Sequence, residues 1–218
     1  MKIELEQVLP MEIERRSFEI ITSELNGRTF PPLEEPVVKR VIHTTADFDY
    51  ADTLTFSNHP VERAMEAIRK GADIVSDTQM AKSGINKKVL ASFGGEVHCF
   101  MSDEDVAKAA KENHTTRAVA SMEKAAALGK PLIFAIGNAP TALIRLYELI
   151  QEQNLRPELI IGVPVGFVNV VASKELILET GVPAIVARGR KGGSNVAAAI
   201  CNAILYQLDQ SRAGVNQR

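Results

Sequence analysis

The 218-residue sequence has no tryptophan, and aromatic residues make up only 5% of it. A surface that stacks on nucleic-acid bases or sugar rings therefore has few side chains to use. The 25 basic and 27 acidic residues nearly cancel, which leaves a formal net charge of −2. This balance argues against broad binding to nucleic acids or membrane surfaces, and it leaves room for a local basic pocket.

Cysteine is also scarce, and long apolar segments are missing. Cys99 and Cys201 lie in apolar surroundings and form no CxxC pair, so they are expected to be buried thiols rather than a disulfide or a zinc site. No apolar run approaches the ~20 residues that a membrane-spanning helix needs. The Glu-rich N-terminus lacks the apolar core of a signal peptide. A cytoplasmic protein without membrane contact is expected.

Short apolar segments alternate with helical patterns along most of the chain. The apolar segments predict strands at residues 37–43, 72–77, 96–101, 131–137, 158–164 and 183–188. Helices are predicted at about 11–25, 62–71, 102–128 with a break near Asn113, 140–153, from the fifth strand to about 180, and 194–208. Such alternation produces right-handed βαβ units and a parallel sheet with helices on both faces. A single doubly wound α/β domain over residues 1–218 is predicted, and residues 208–218 are expected to fray.

A ligand site is expected beyond the carboxyl ends of the strands, where open parallel sheets bind their ligands. The segments that follow the predicted strands there are 43–50, 76–84, 137–140, 162–169 and 188–195. Their glycines permit close backbone approach to a ligand, and several lead into helix N-termini, which favour anionic groups. Thr44, Thr45 and Asn138 are candidate substrate contacts by this location.

His43 is the candidate proton-transfer residue, because an imidazole exchanges a proton near neutral pH. The alternative, a hydrogen-bonded histidine at the end of the first strand, stays open. The three other histidines are weaker candidates, and no pair has the spacing of a zinc motif. Asp47, Asp49 and Asp52 lack the remaining positions of a calcium loop, so turn and capping roles are favoured. No metal site is predicted.

A basic loop, RGRKGGSN, places Arg188, Arg190 and Lys191 around a Gly-Gly turn before the last helix. It has the composition of an anion cradle, and the alternative is a solvated basic loop. Neither GxxxxGK[ST] nor GxGxxG is present, so nucleotide binding has no specific support.

Six segments together resemble the precorrin-8X methylmutase family: SFEII, VVKRVIHTTADFDYADTLTFS, SDTQMAKSGI, GNAPTAL, GVPVGFVNVVASKE and ARGRKGGSNVAAAICNA. The resemblance extends from about residue 12 to 208, and HTTADFDY and GVPVGFV are its most specific parts. It implies a flavodoxin-like fold and a homodimer. It also implies that His43 is the catalytic histidine and that Ser17 and Arg40 contact the substrate.

The activity that the resemblance implies is a step of cobalamin biosynthesis on a tetrapyrrole substrate. An acid-catalysed 1,5-sigmatropic shift would move one methyl group from C-11 to C-12 of precorrin-8X or cobalt-precorrin-8, giving hydrogenobyrinic acid or cobyrinic acid. The reaction needs no redox cofactor or methyl donor. The carboxylates of such a ring need cationic partners. Arg40 is assigned by the resemblance, whereas Arg117, Arg188, Arg190 and Lys191 are inferred from charge and location.

Two other functions and one structural question stay open on the sequence. The chain is alternatively a carrier in which His43 binds a tetrapyrrole without catalysis, or a flavodoxin-like phosphate or nucleotide enzyme.

The macrocycle is large for one crevice, so a second subunit is expected to complete the pocket. Residues 113–122 are the candidate wall, and the alternative is that this helix covers its own sheet. Whether the substrate carries cobalt is not decided.

Overall fold

A computed structural model of the chain describes residues 6–209, and they form one six-stranded sheet with helices on both faces. The strands are β1 Leu54–Ser57, β2 Asp73–Ser76, β3 Val97–His98, β4 Leu132–Ile136, β5 Leu159–Gly162 and β6 Ala184–Ala187. The helices are α1 Ile13–Glu24, α2 Glu35–Thr45, α3 Tyr50–Thr53, α4 Pro60–Arg69, α5 Gln79–Gly84, α6 Lys87–Ser92, α7 Glu104–Glu112, α8 Arg117–Ala126, α9 Pro140–Gln153, α10 Val170–Glu179 and α11 Ser194–Leu208. A 3-10 helix, Pro10–Glu12, precedes α1.

The order of the strands is β1-β6-β5-β4-β2-β3. Strands β2 to β6 pair in parallel, whereas β1 pairs antiparallel with β6 at the edge. Counted along the chain, the parallel strands follow the order 2-1-3-4-5 of flavodoxin-like folds. The predicted doubly wound, flavodoxin-like class is confirmed, with one antiparallel edge strand added to it.

Each face of the sheet has its own apolar core. Successive residues of β4 alternate between the two cores, so that Ile133 faces α2 and α11 while Phe134 faces α8, α9 and α10. Every residue of β4 is buried. Apolar side chains on both faces are what a central parallel strand requires, and they explain why the continuous run LIFAI predicted it.

The segment predicted as the first strand is instead helix α2, which corrects the prediction for residues 37–43. Its buried residues are Val37, Val38, Val41 and Ile42. Residues four apart share one face of a helix, so this set packs as a helical stripe, mainly against α11. The first chain segment in the sheet is β1, and His43 therefore lies in the last turn of a helix rather than at a strand end.

The other elements lie near their predicted positions. The long helical segment is divided into α7 and α8 around Asn113, as predicted, whereas β3 is shorter than residues 96–101 and α3, α5 and α6 were not predicted. Cys99 and Cys201 are buried and free. The expectation of fraying falls almost wholly on residues outside the described range.

None of the helices within residues 6–209 has the length and apolar character of a membrane span.

Candidate active site

Helix α2 ends abruptly just after His43. Ala46, its C-cap, has the left-handed angles φ 53° and ψ 30°, and its N–H donates to the Ile42 carbonyl. The turn stops the helix and directs the chain toward α3. The hydroxyls of Thr44 and Thr45 donate to the carbonyls of Arg40 and Val41 at 2.9 and 2.8 Å, so both side chains are anchored to the helix beside the imidazole.

His43 is exposed, and one face of its ring lies against Phe18 of α1. The ring centroids are 5.3 Å apart and the planes are inclined by 18°. The part of the ring that the protein covers loses contact with water, and this partial burial lowers the pKa of His43. The Arg40 cation lowers the pKa further, and the Glu14 carboxylate opposes the shift. The imidazolium therefore gives up its proton more readily than an ordinary histidine side chain.

Arg40 is already engaged within the chain. It forms an ion pair with Glu14, and its guanidinium lies over the rings of Phe18 and Tyr206, 4.7 and 5.3 Å from their centroids. Only 13% of its side chain is exposed. Arg40 is thus held one helical turn before His43, and a ligand carboxylate would have to share it with Glu14.

Ser17 lies on α1, next to Phe18, and is half-buried. Its hydroxyl donates to the Ile13 carbonyl at 2.9 Å. The packing of α1 on α2 thus places Ser17 on the helix that contacts both Arg40 and His43.

Residues 188–193 of the basic loop meet the segment that follows α2. Lys191 Nζ donates to Asp47 Oδ2 and to Asp49 Oδ2, each at 2.6 Å. These contacts lower the pKa of Asp47 and raise that of Lys191. Asp47 also accepts the Asp49 N–H at 3.0 Å, which confirms a turn role for this carboxylate. Two segments far apart in the chain, 43–50 and 188–195, are therefore brought together.

The two arginines of the basic loop differ in their partners. Arg188 pairs with Glu175 of α10 at 2.8 Å. Arg190 lies over the Phe167 ring, 5.4 Å from its centroid, and makes no ion pair with a carboxylate of residues 6–209. Both arginines are exposed. Arg190 is therefore the member of the basic loop with the most available charge.

The carboxyl ends of β2 and β4 form the topological switch point of the sheet, where flavodoxin-like folds bind their ligands. Asp77, 1% exposed, fills this position. Its carboxylate accepts the N–H groups of Gly137, Asn138 and Ala139 at 2.9, 2.8 and 2.6 Å. Burial raises its pKa, and the three N–H groups oppose that rise. The donors that a phosphate would use at the start of α9 are already satisfied by the protein's own anion.

Asn138 keeps its side chain exposed beside this buried network. Arg117 lies at the start of α8, where Thr116 and Thr141 join α8 to the start of α9 through their hydroxyls, 3.2 Å apart. Arg117 is exposed, and its Nη1 donates to the Met101 carbonyl at 3.5 Å. It shares the carboxyl edge of the sheet with Asn138, but α8 packs on the face opposite to α2.

The subunit contact predicted for residues 113–122 depends on apolar side chains, and three of them are buried in the core of the same chain. Ala118, Ala120 and Met122 are 4%, 3% and 0% exposed and pack in the cores beneath α8. Helix α8 therefore covers its own sheet, and these three residues are not available to a partner. Arg117 is exposed and Val119 is partly exposed, whereas the polar Ser121 is fully buried.

Several residues around the site were not predicted. Glu14 and Phe18 come from α1, Asp77 ends β2, and Lys174 is fully buried in α10. A signal existed for Lys174, because it shares a helical face with Val170 and Ile177, which are apolar and buried. Among the described residues no cluster of three His, Cys, Asp or Glu side chains has the arrangement of a metal site.

The fold and the site together define a flavodoxin-like α/β protein in which an exposed imidazole, His43, follows Arg40 in the last turn of α2. Comparison with known proteins identifies the family. The precorrin-8X methylmutase family profile matches residues 12–207. The cobalt-precorrin-8 methylmutase of Salmonella typhimurium is 48% identical over 209 residues, which cover 93% of this chain and 97% of that protein. That of Priestia megaterium is 46% identical over 202 residues, with 93% and 90% covered.

A solved structure gives the same result. The precorrin-8x methyl mutase of Thermus thermophilus superposes with a TM-score of 0.82 at 41% identity, and the match covers 89% of this chain and 96% of that one. The chain belongs to the precorrin-8X methylmutase family, and it is an isomerase of cobalamin biosynthesis.

Proposed function

We propose that this enzyme moves a ring methyl group from C-11 to C-12 of its corrin precursor, with His43 as the catalytic acid and base. The supporting observation is the position of His43, exposed in the last turn of α2, one helical turn after Arg40 and four residues before Asp47, which contacts Lys191 of the basic loop. The imidazolium donates a proton to a ring nitrogen, which withdraws electron density from the conjugated system. The bond from the methyl group to C-11 breaks as the bond to C-12 forms, and the proton returns to His43.

The surroundings of His43 suit this cycle. A lowered pKa makes the imidazolium a stronger acid toward a weakly basic ring nitrogen, and general acid catalysis typically contributes ~10²–10⁴-fold in rate. The last turn of a helix also carries partial negative charge, which limits the fall in the pKa. The proton is borrowed and returned, so the reaction oxidises and reduces nothing.

The substrate carboxylates are proposed to bind the side chains around this imidazole. Arg190, which is exposed and unpaired within the described residues, and Arg188 are placed to receive them, and Arg40 can exchange Glu14 for one of them. Ser17, Thr44, Thr45, Asn138 and Arg117 are proposed as hydrogen-bonding contacts. Lys191 is proposed to act mainly through its ties to Asp47 and Asp49, because these carboxylates already balance its charge.

The cobalt-containing precursor is the proposed natural substrate. The Salmonella and Priestia relatives, at 48% and 46% identity, are named for cobalt-precorrin-8, whereas the Thermus protein at 41% is named for precorrin-8x. The cobalt would enter as part of the substrate. The enzyme is proposed to work in the cytoplasm. Conversion of both precursors by the purified enzyme, followed by absorbance, is expected to be faster for the cobalt form; a preference for the metal-free ring would contradict this proposal.

A homodimer is also proposed, with an interface next to the basic loop. Val165, Phe167, Val168 and Val171 are between 42% and 80% exposed and form an apolar surface that adjoins Arg190. Such a surface on a soluble domain usually marks a contact site. Sedimentation is expected to give twice the 23.7 kDa chain mass, and Phe167→Ser is expected to shift the protein toward the monomer. A wild-type monomer at micromolar concentration would contradict the proposal.

The test of catalysis compares two histidine variants. His43→Asn is expected to lower turnover at least 100-fold while product affinity changes little, because asparagine cannot exchange a proton near neutral pH. His59→Asn is the matched control, since His59 is exposed just before α4 and belongs to none of the segments proposed to contact the substrate. Unchanged turnover in His43→Asn would remove the residue from the mechanism, and binding without turnover in the wild type would favour a carrier.

The alternative of a phosphate or nucleotide enzyme has less support. Asp77 places a carboxylate where the switch point would otherwise receive a phosphate, and like charges there repel. Titration with nucleotides is expected to show no binding.

A further inference from the structure

Lys174 is the most deeply buried cation of the described chain. Its side chain, in the middle of α10, is fully buried. Its Nζ donates to the carbonyl oxygens of Gly189 and Lys191 at 2.8 and 2.9 Å. Burial lowers its pKa to about 8. Burying an ammonium group destabilises the fold unless hydrogen bonds compensate for the lost water, and the two carbonyls provide these hydrogen bonds.

The Gly189 and Lys191 carbonyls belong to the basic loop, in which every residue from 188 to 191 makes a hydrogen bond through its backbone. The Arg188 N–H donates to Thr53 at 2.9 Å, and the Arg190 carbonyl accepts the Gly166 N–H at 3.2 Å. Together with Lys174, these contacts engage three successive carbonyls, 189 to 191, with donors of the protein. The side chains of Arg188, Arg190 and Lys191 remain exposed.

The next residues are held just as closely. The Gly193 N–H donates to the Val163 carbonyl at 2.9 Å. Gly192 has φ 158°, and a Cβ there would lie 2.1 Å from the same oxygen, so no side chain fits. The backbone of the basic loop therefore has one well-defined path, and Lys174 supplies two of its contacts.

We propose that Lys174 is a positioning residue, whose buried ammonium holds the basic loop so that Arg190 meets the substrate carboxylates in the correct place. This inference rests on the proposed function of the basic loop. A lysine suits the task because one ammonium group donates to two carbonyls that are two residues apart. Through the Lys191 backbone it also holds the side chain that contacts Asp47 and Asp49 after α2, so the position of the loop is linked to that of His43.

The substitution Lys174→Met tests the proposal, because methionine fills a similar volume without a donor. Lys174→Gln retains two N–H donors on a shorter side chain and serves as the milder variant. Lys108→Met is the matched control, since the Lys108 side chain is 75% exposed on α7. Backbone hydrogen exchange reports the basic loop directly and requires no substrate.

We expect amide exchange in residues 188–193 to accelerate at least tenfold in Lys174→Met, while amides of β4 keep their wild-type protection. The KM is expected to rise about tenfold, whereas kcat at saturating substrate changes by less than about threefold. Lys174→Gln should lie between Lys174→Met and the wild type. If Lys174→Met does not fold, the same exchange and KM comparison is made on Lys174→Gln, with a smaller change expected in the same direction.

Arg190→Ala separates this inference from the proposed function. If Arg190→Ala raises the KM but the Lys174 variants leave both loop exchange and KM unchanged, the positioning role is wrong and the proposed function stands. If the Lys174 variants release the loop but Arg190→Ala leaves the KM unchanged, the loop does not bind substrate and the proposed binding role fails. Equal loss of protection in the loop and in β4 would show that Lys174 only stabilises the fold, which overturns the proposal.

Discussion

Replacing Asp77 with asparagine perturbs the most heavily hydrogen-bonded carboxylate at the sheet edge. The two oxygens of Asp77 accept one N–H from Gly137 and two from Asn138 and Ala139, with distances from 2.6 to 2.9 Å. An asparagine in this place has one acceptor oxygen and one donor group. In the more favourable of its two orientations, the asparagine oxygen accepts the N–H groups of Asn138 and Ala139. The NH₂ group then points at the Gly137 N–H, so two donors face each other.

The magnitude follows from the groups that lose their partners. In that orientation, the Gly137 N–H and the asparagine NH₂ group face each other with no acceptor, and each unsatisfied buried group costs about 1–3 kcal/mol. Removing a buried charge recovers part of this cost. We therefore expect the free energy of unfolding to fall by about 3 kcal/mol, a large fraction of the ~5–15 kcal/mol that stabilises a typical domain.

Urea denaturation followed by far-ultraviolet circular dichroism measures this loss, since the chain has no tryptophan to report it. Asp105→Asn is the matched control, because Asp105 is a surface carboxylate paired with Lys124, and such pairs contribute only about 0–1 kcal/mol. If the two variants differ by less than about 0.5 kcal/mol, the three N–H contacts to Asp77 do not stabilise the fold.

Two further predictions concern the end of α2. The wild-type kcat/KM is expected to fall with rising pH above an apparent pKa below 6.5, because the acid form of His43 is required and its pKa is lowered. Glu14→Gln is expected to move that decline to still lower pH, since the Glu14 carboxylate raises the pKa; an unchanged profile would exclude this electrostatic link. Ala46→Gly is expected to raise the free energy of unfolding by about 0.5–1 kcal/mol, because glycine adopts the left-handed conformation without the penalty of a Cβ. The control Ala127→Gly, at a right-handed C-cap, should be neutral or destabilising, and equal effects in urea denaturation would contradict the explanation.

The sequence alone determined most of the parallel sheet. Strands such as β4 and β6 are continuous apolar runs between glycine and proline residues, and burial on both faces requires such runs. The family was also readable in the sequence, because HTTADFDY and GVPVGFV are local and specific. The positions of α9 and α11 followed from proline at a helix start and from a long alanine-rich segment.

The segment 37–42 shows where local patterns failed. Its valines and isoleucine favour a strand by propensity, yet Val37, Val38, Val41 and Ile42 also fit one face of a helix. Packing against α11 decided between the two, and α11 lies about 160 residues later in the chain. Strand β1 was also not predicted, because the sequence pattern predicts residues 37–43 as the first strand. Its pairing with β6 is antiparallel, and βαβ alternation does not predict such an edge strand.

Only the tertiary structure decided which charged residues are available at the site. The sequence assigns Arg40 by resemblance and presents Arg188, Arg190 and Lys191 as equivalent cations of one loop. In the structure, all of these except Arg190 already pair with carboxylates, which are Glu14, Glu175, Asp47 and Asp49. It likewise gives no sign that Lys174 reaches the basic loop or that Asp77 fills the switch point. These pairings join separate elements across the fold, and their geometry depends on how helices pack on a twisted sheet, which no local run of residues encodes.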